Sequence, residues 1–325
     1  MGTFILRRLV GMAFVLLLVS LLVFVIFIVV PGGDPASRMA GRNPTRQNVI
    51  NIRERWGFDE PYYVQYYEMM KKAVTGLLPG DHGQYDVLRS FQNQTDVVER
   101  IKRGLPATFS LSIGAGLIWL SFGILVGTIA AVTAGRLSDR TITILALIGI
   151  SMPVFWLGIV ARYFLAEKNQ WFPDGEYVAL TNSPVQWAYH LILPWFVLAV
   201  LFIGFYGRVL RSNILDAINE DYVRTARAKG LAPRRVLIRH VLRNSLIPVV
   251  TLFGLDFASV LGGGAILTET VFDLHGVGQY AAQSVGDLDL PPIMGVTLYG
   301  AFFIVLFSAI VDLVYAYLDP RIRPA

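Results

Sequence analysis

The sequence predicts an all-α membrane protein with six transmembrane helices, and three observations support this. Hydrophobic residues make up 54% of the 325 residues and charged residues only 16%, with a mean hydropathy of +0.55. Basic residues concentrate in alternate short loops. A transmembrane helix needs about 20 mostly apolar residues to cross roughly 30 Å of hydrocarbon. Six stretches meet this length, near residues 9–30, 108–133, 141–165, 189–207, 246–267 and 295–317.

The distribution of charge predicts the orientation of these spans. Residues 208–243 carry nine Lys and Arg against three acidic residues, whereas residues 268–293 carry four acidic residues and no Lys or Arg. Because short cytoplasmic loops are enriched in Lys and Arg, we expect residues 208–245 and both termini in the cytoplasm. The net charge of +5 is then explained by topology, and we expect no binding of nucleic acid.

The first element is an N-terminal transmembrane helix over residues 1–30. Arg7 and Arg8 precede an apolar run of 22 residues, which exceeds the roughly 7–15 apolar residues of a signal peptide. No convincing cleavage site follows the run, so we expect an uncleaved helix. Residues 31–104 then form the largest soluble segment, which we expect on the external side with a helical region around 47–78.

Spans two and three are predicted to form a hairpin that turns at residues 135–140. Residues 105–108 are expected to open span two. Pro153 lies inside span three and should kink it, because proline removes a backbone hydrogen bond. Arg162 lies within one or two turns of the outer end of this span, so we expect its guanidinium to reach the membrane interface.

The stretch over residues 221–248, between spans four and five, predicts two short helices that meet at Gly230. Tyr222, Val223 and Ala226 fall on one side of the first helix. Gly230 is typical of a helix end and Pro233 of a helix start. Two such helices would form an L-shaped projection on which another protein docks. The alternative is a basic amphipathic helix that touches lipid headgroups.

This stretch resembles the cytoplasmic coupling loop, or EAA loop, of ABC importer permeases. Residues 222–231 read YVRTARAKGL, similar to dipeptide and oligopeptide permeases, with the small residues Thr225 and Ala226 ahead of Gly230. Arg224 stands where the general pattern has an acidic residue and Arg243 where it has a proline, and both departures resemble the peptide-permease subgroup. Further matches to that family are LPAT at 105–108, PVFW at 153–156, ETVF at 269–272 and LDPRIR at 318–323.

The resemblance implies a multi-pass permease subunit of the inner membrane. Residues 105–318 would form a five-helix MetI-like core of spans two to six, with a coupling loop over 208–245 and a cytoplasmic tail over 319–325. Residues 31–104 would cap the outer mouth and contribute to docking of a solute-binding protein. The residues implied in coupling to the ATPases are Tyr222, Thr225, Ala226, Gly230, Leu231 and Pro233.

The resemblance also implies partners and a cargo. A homologous second permease subunit would complete the membrane part. Two ABC ATPase domains, separate or fused, would bind ATP and magnesium, and this chain would bind no cofactor. Ala226, Gly230 and Leu231 are expected to make the docking contact with the ATPases. The transported solute would be a di- or oligopeptide.

Asp256 is the one clearly internal acidic residue, about eleven residues from each end of span five. A carboxylate at this depth is costly and usually faces a bundle interior or a water-filled path. We expect Asp256 to line the translocation path, together with Pro153 and Trp156, and to meet the positive amino terminus of a peptide. The alternative is a structural hydrogen bond or an ion pair with an arginine of the partner subunit.

No motif predicts catalysis or a metal site. The sequence contains no cysteine, no GxxxxGK[ST] phosphate-binding loop and no GxSxG elbow. Its isolated histidines, which lack metal-ligand spacing, are His82, His190, His240 and His275.

Three alternatives stay open at this point. The first keeps the architecture but transports nickel, glutathione or a sugar. The second is a membrane-embedded enzyme that uses Asp256 and Asp312. The third is a passive channel, which would need no coupling loop.

Overall fold

The computed structural model describes residues 2–30, 36–37, 45–76 and 88–318, and within these ranges the chain is helical and contains no β-strand. The predicted tail over 319–325 and the side chain of Asp312 lie outside the described part. The helices are α1 (Gly2–Phe24), α2 (Arg46–Trp56), α3 (Tyr62–Thr75), α4 (Val97–Val132), α5 (Leu137–Ser151), α6 (Val154–Ala161), α7 (Pro184–Ala217), α8 (Asp221–Ala228), α9 (Pro233–Arg235), α10 (Arg243–Ser259), α11 (Ile266–Val271), α12 (Val277–Gly286) and α13 (Leu290–Leu318).

Five of the described helical segments are long and apolar enough to cross a membrane, and a sixth span results if the bent pair α5–α6 counts as one. Short π-helical stretches extend α1 over Val25–Val29 and α6 over Arg162–Lys168, and others connect α9 to α10 and follow α10. The predicted all-α membrane fold is therefore confirmed.

Span three is broken at Pro153, which is a larger change than the kink that the sequence predicts. The axes of α5 and the segment that begins with α6 differ by 98°. Met152 has ψ 126° and Pro153 has ψ 131°, so two successive residues are extended. Proline disfavours the helical conformation of the residue before it, which explains why the helix stops here.

The guanidinium of Arg162, which the sequence predicts at the membrane interface, is held by two groups of the protein. Its Nε donates to Asp174 Oδ1 at 2.6 Å, and its Nη1 donates to the carbonyl oxygen of Val271 at 2.6 Å. These bonds connect the end of the broken span to the loop before α7 and to the end of α11.

Helix α4 begins at Val97, eight residues before the stretch 105–108 that is predicted to open transmembrane span two. Asp96 caps the helix, because its side chain accepts a hydrogen bond from the backbone N–H of Glu99 at 3.1 Å. Pro106 consequently lies inside the helix, more than two turns from its start.

Helices α4 and α7 pack closely along the centre of the bundle. A Cβ atom added to Gly127 would lie 2.6 Å from the carbonyl oxygen of Gly207, and one added to Gly123 would lie 2.7 Å from Tyr206 Cβ. Glycine at these positions lets the two backbones approach, as small residues commonly do between membrane helices. The contact buries Trp119 and Leu210 completely.

In the described part of residues 31–104, helices α2 and α3 lie in the region predicted to be helical. They are separated at Gly57, whose φ of +66° ends α2. Trp56 is buried and packs edge-on against Phe91 at 5.4 Å. The carboxylate of Asp289 fixes the chain near Phe91, since it accepts the backbone N–H of Phe91 at 2.9 Å and the hydroxyl of Ser90.

A buried carboxylate, Glu269, joins α4 to α11 and α12. Thr108 Oγ1 donates to Glu269 Oε1 at 2.7 Å, and the backbone N–H of Gln279 donates to Glu269 Oε2 at 2.9 Å. The hydroxyl of Thr108 also accepts the backbone N–H of Val277 at 2.9 Å. Burial raises the pKa of Glu269, although these hydrogen bonds favour its charged form. The three hydrogen bonds therefore form one unit that holds the N-terminal part of α4 against the start of α12.

We expect Thr108→Val to lower the melting temperature of the purified chain in detergent. The substitution keeps the side-chain shape but leaves Glu269 Oε1 without its donor and the N–H of Val277 without its acceptor. Each buried group that loses its partner costs about 1–3 kcal/mol. The measurement is thermal unfolding followed by tryptophan fluorescence.

Thr128→Val on the same helix is the matched control, because the hydroxyl of Thr128 bonds to the carbonyl of Ile124 within α4. The control should melt near the wild-type temperature. Equal shifts in the two variants would contradict the connecting role of Thr108.

Candidate functional site

The segment between the long helices α7 and α9–α10 is attached to the bundle by one face of α8. Val223 is completely buried and Ala226 is 5% exposed, and both belong to the main apolar core together with Val236 and Val241. Residues at i and i+3 share a helix face, which explains this pairing. Six exposed side chains of the segment and of the helix that follows are basic, namely Arg224, Arg227, Lys229, Arg234, Arg235 and Arg239.

The end of α8 has the geometry that the sequence predicts. Gly230 has φ +75°, and its N–H donates to the carbonyl of Arg227 at 2.9 Å. A Cβ atom added to Gly230 would meet nothing within 4 Å. The need for glycine here is therefore conformational, because a left-handed backbone is unfavourable for other residues. Pro233 is the first residue of the next helix.

The helix that starts at Pro233 is not the short second helix that the sequence predicts. It continues to Gly264 as a span of 32 residues, with a kink near its end where Gly263 has φ +136°. Helix α7 also runs to Ala217, so only residues 218–232 lie between the long helices. Apolar residues continue along the C-terminal end of α7 and the start of the helix at Pro233, where Ile214 and Val236 are buried. Their burial stabilises helix inside residues 208–245, which the sequence predicts to be a loop.

The six predicted coupling residues fall into an exposed and a buried group. Tyr222, Thr225, Gly230 and Pro233 are exposed. Leu231 is partly buried and packs against the main core. Ala226 is buried by its own bundle, so its side chain does not face a partner, contrary to the prediction. The inward orientation follows from its position one turn after Val223.

Asp139 and Arg211, which the sequence analysis did not single out, connect α5 to the same end of α7. Arg211 donates to both carboxylate oxygens of Asp139, from Nε at 2.7 Å and from Nη2 at 2.8 Å. The N–H of Gly135 donates to Asp139 Oδ2 at 2.9 Å. Asp139 is 4% exposed. The only sequence signal was a lone acidic residue in a basic turn, and nothing local pairs it with Arg211.

Asp256 is hydrogen-bonded within the membrane part of the bundle. The hydroxyl of Tyr206 on α7 donates to Asp256 Oδ2 at 2.7 Å. Tyr206 is 1% exposed, whereas Asp256 is partly exposed. Asp256 therefore makes a structural hydrogen bond, which is one of the two alternative roles considered for it. The side chain is still partly accessible, and Oδ1 is not the oxygen that Tyr206 binds.

Pro153 and Trp156 are not brought together with Asp256. Both are exposed, and Trp156 is 47% exposed at the start of α6. Helix α6 packs mainly on α7 and α11, whereas α10, which carries Asp256, packs mainly on α13 and α7. Within residues 2–30, 36–37, 45–76 and 88–318, no three potential metal-binding side chains of His, Asp or Glu cluster in a way that could hold an ion.

Comparison with known families decides the class of the protein. The family described as "Binding-protein-dependent transport system inner membrane component" matches residues 123–324, and its N-terminal counterpart matches residues 1–112. The chain belongs to this family of inner membrane transport components. It is therefore a multi-pass inner membrane protein, and it is a transport subunit rather than the membrane-embedded enzyme considered above.

Similar proteins span the whole chain. A probable peptide ABC transporter permease protein, y4tP of Sinorhizobium fredii, is 36% identical and covers 99% of this chain and 100% of its own length. The oligopeptide transport system permease protein AppB of Bacillus subtilis is 36% identical over 99% of this chain and 100% of its own. The dipeptide transport system permease protein DppB of Alkalihalophilus pseudofirmus is 34% identical, with 98% of each chain covered.

A solved structure shares the fold of this family member. The MetNI methionine ABC transporter in an inward-facing conformation contains a chain that matches with a TM-score of 0.55 and 18% identity, over 68% of this chain and 97% of that one. The likeness supports the MetI-like fold that the sequence predicts for the core.

We expect Arg211→Met to lower the melting temperature more than Arg208→Met. The first substitution removes both hydrogen bonds to Asp139 and leaves this buried carboxylate with the N–H of Gly135. Hydrogen bonds to a charged group contribute about 1.5–3 kcal/mol. Arg211 is partly exposed, with 30% of its side chain accessible, which keeps the loss below that of a fully buried pair.

Arg208 lies on the same helix and is exposed, so its substitution controls for the lost charge. Thermal unfolding in detergent compares the two variants. The same melting temperature for both would show that the ion pair does not stabilise the bundle.

Proposed function

We propose that this chain is one of two permease subunits of an ATP-driven importer that transports di- or oligopeptides. The observation that carries the proposal is an exposed basic segment, rigidly attached to the bundle, in a member of a binding-protein-dependent transport family. Relatives named as peptide, dipeptide and oligopeptide permeases cover 98–99% of the chain and support the cargo. Nickel, glutathione or a sugar would suit the same architecture, but these three relatives are named as permeases for peptides.

The proposed importer has three kinds of protein partner outside this chain. A homologous permease subunit completes the pathway, and an extracytoplasmic solute-binding protein delivers the peptide. Two ATPase domains bind ATP and magnesium and dock on residues 218–232. The excess of Lys and Arg near this segment supports its cytoplasmic position, and with it the cytoplasmic position of both termini.

Coupling depends on the two faces of α8. The outer face, with Tyr222 and Thr225, is available to the ATPase, whereas Val223 and Ala226 attach the inner face to the bundle. A force on the outer face is thus transmitted to α7 and to the helix that starts at Pro233, because packed cores move as units. We propose that closure of the ATPase pair shifts α8 as a rigid body and favours the other access state.

We propose that the free oxygen of Asp256 lines the path and meets the positive amino terminus of a peptide. Tyr206 occupies one carboxylate oxygen and fixes its orientation. The partial exposure of Asp256 supports access from the path. An opposite charge at this depth would offset part of the cost of removing a carboxylate from water.

We expect Gly230→Glu to abolish uptake of a radiolabelled dipeptide by cells that express the complete importer. The substitution strains the backbone at φ +75° and adds a negative charge to the proposed docking surface. The measurement pairs initial uptake rates with immunoblots of the membrane fraction, which should contain normal amounts of the variant.

Gly135→Glu is the matched control, because Gly135 has φ +79° and equally open surroundings in the other predicted cytoplasmic turn. The control should retain most of the uptake. Normal uptake with Gly230→Glu would count against docking at this segment, and uptake of no peptide by the wild-type importer would reject the proposed cargo.

We expect Asp256→Asn to lower peptide uptake by about tenfold, which corresponds to roughly 1.4 kcal/mol of lost attraction. The amide oxygen still accepts the hydrogen bond from Tyr206, so the substitution removes the charge and keeps the local structure. Asp216→Asn, on the exposed cytoplasmic end of α7, should transport normally. An Asp256→Asn variant that assembles and transports like the wild type would contradict the role in the path.

A further inference from the structure

Helix α3 of the external segment has an inverted distribution of polarity. Its exposed apolar side chains include Tyr63, Tyr67 and Val74, at 76%, 62% and 64% exposure, with the half-buried Met70 between them. At 100° per residue, these four positions fall within an arc of about 60°. This arc contains no charged residue, so the outermost face of α3 is apolar.

Three polar side chains of α3, Gln65, Glu68 and Lys72, lie on the opposite face and are buried, at 8%, 9% and 5% exposure. Lys71 lies between the two faces and is partly exposed. Gln65 Nε2 donates to the carbonyl of Glu60 at 2.8 Å, and Lys72 Nζ pairs with Asp96 Oδ2 at 2.8 Å. A helix packed on a water-soluble protein shows the reverse arrangement. These bonds fix the rotation of α3 and thereby keep the apolar arc outward.

One flank of α3 contacts the first transmembrane helix within its apolar length. The hydroxyls of Tyr66 and Ser20 are hydrogen-bonded at 2.7 Å, and the ring of Tyr66 packs edge-on against Phe24 at 5.4 Å. Ser20 lies nine residues before Val29, the end of this span, which is about 14 Å along a helix. The helix α3 therefore lies beside the membrane-spanning part of α1 and not above it.

Exposed apolar side chains of α1 lie beside its contact with α3. Leu17 and Leu21 are 57% and 46% exposed, and they stand within about 60° of Phe24 around the helix axis. Tyrosine is enriched at membrane interfaces, where the ring contacts acyl chains and the hydroxyl contacts headgroups or water. Burial of apolar area drives such interfacial helices into the bilayer.

We propose that α3 is an interfacial helix whose arc of Tyr63, Tyr67, Met70 and Val74 contacts lipid in the leaflet at the Val29 end of α1. This is the outer leaflet in the proposed orientation. The segment expected from the sequence to be soluble is then partly embedded. The bilayer, and not a soluble partner, is the occupant of this face, because the face lacks charge and α3 packs beside the exposed apolar side chains of a transmembrane helix.

The test uses the natural absence of cysteine from the chain. Tyr67→Cys and Val74→Cys each carry a nitroxide spin label in the full-length chain, reconstituted in vesicles of phosphatidylethanolamine and phosphatidylglycerol. Asn51→Cys is the matched control, since Asn51 is exposed on the polar helix α2. Collision with oxygen, which partitions into lipid, is compared with collision with a water-soluble nickel chelate.

We expect the ratio of oxygen to nickel accessibility to be severalfold higher at positions 67 and 74 than at position 51. A ratio at both positions equal to that at 51 would place the arc in water and overturn the proposal. Low accessibility to both reagents at 67 and 74 would show that protein covers the arc, which overturns it as well. If one of the two labelled variants fails to insert into the membrane, the other still tests the proposal.

Discussion

A bilayer offers no hydrogen-bonding partners, so the polar groups of a membrane bundle must satisfy one another. The described part of this chain does so with carboxylates that connect distant segments. Glu269 holds α4 to the loop before α12, Asp139 holds the start of α5 to α7, and Asp256 bonds to Tyr206 across α10 and α7. The contacts between apolar helix faces, in contrast, depend on shape and are not directional. The arrangement of helices therefore depends on a few charged residues, each joined to partners far away in sequence.

Two of these connections meet at α7, which gives this helix a central position between the membrane and the proposed docking segment. Arg211 anchors the part of α7 near its C-terminal end, and Tyr206 lies about one and a half turns before it along the helix. The close glycine contact at Gly127 adds α4 to the same unit. A displacement of α8 at the end of α7 would therefore act on a helix whose hydrogen bonds reach Asp256. Coupling and the proposed path are linked through one rigid element.

Local chemistry made much of the fold predictable from the sequence. The glycine conformation at Gly230 and the helix start at Pro233 follow from backbone preferences, and the long apolar runs follow from bilayer thickness. The cap at Asp96, with Glu99 three residues later, is a local helix-start signal that the sequence analysis did not single out. Tertiary contacts were not predictable: the inward face of Ala226, the pairing of Asp139 with Arg211 and the donor to Asp256 all depend on residues outside the local window. The break at Pro153 exceeds a kink because Met152 is extended too.

We propose above all that residues 218–232 receive the ATPase subunits of an importer. Co-purification in mild detergent is the most direct test, with the tagged chain expressed together with its genomic neighbours. We expect ABC ATPases to be recovered with the wild-type chain and to be lost when the exposed Tyr222 and Thr225 are both replaced by glutamate. Recovery of no ATPase with the wild type, or undiminished recovery with the double variant, would contradict it.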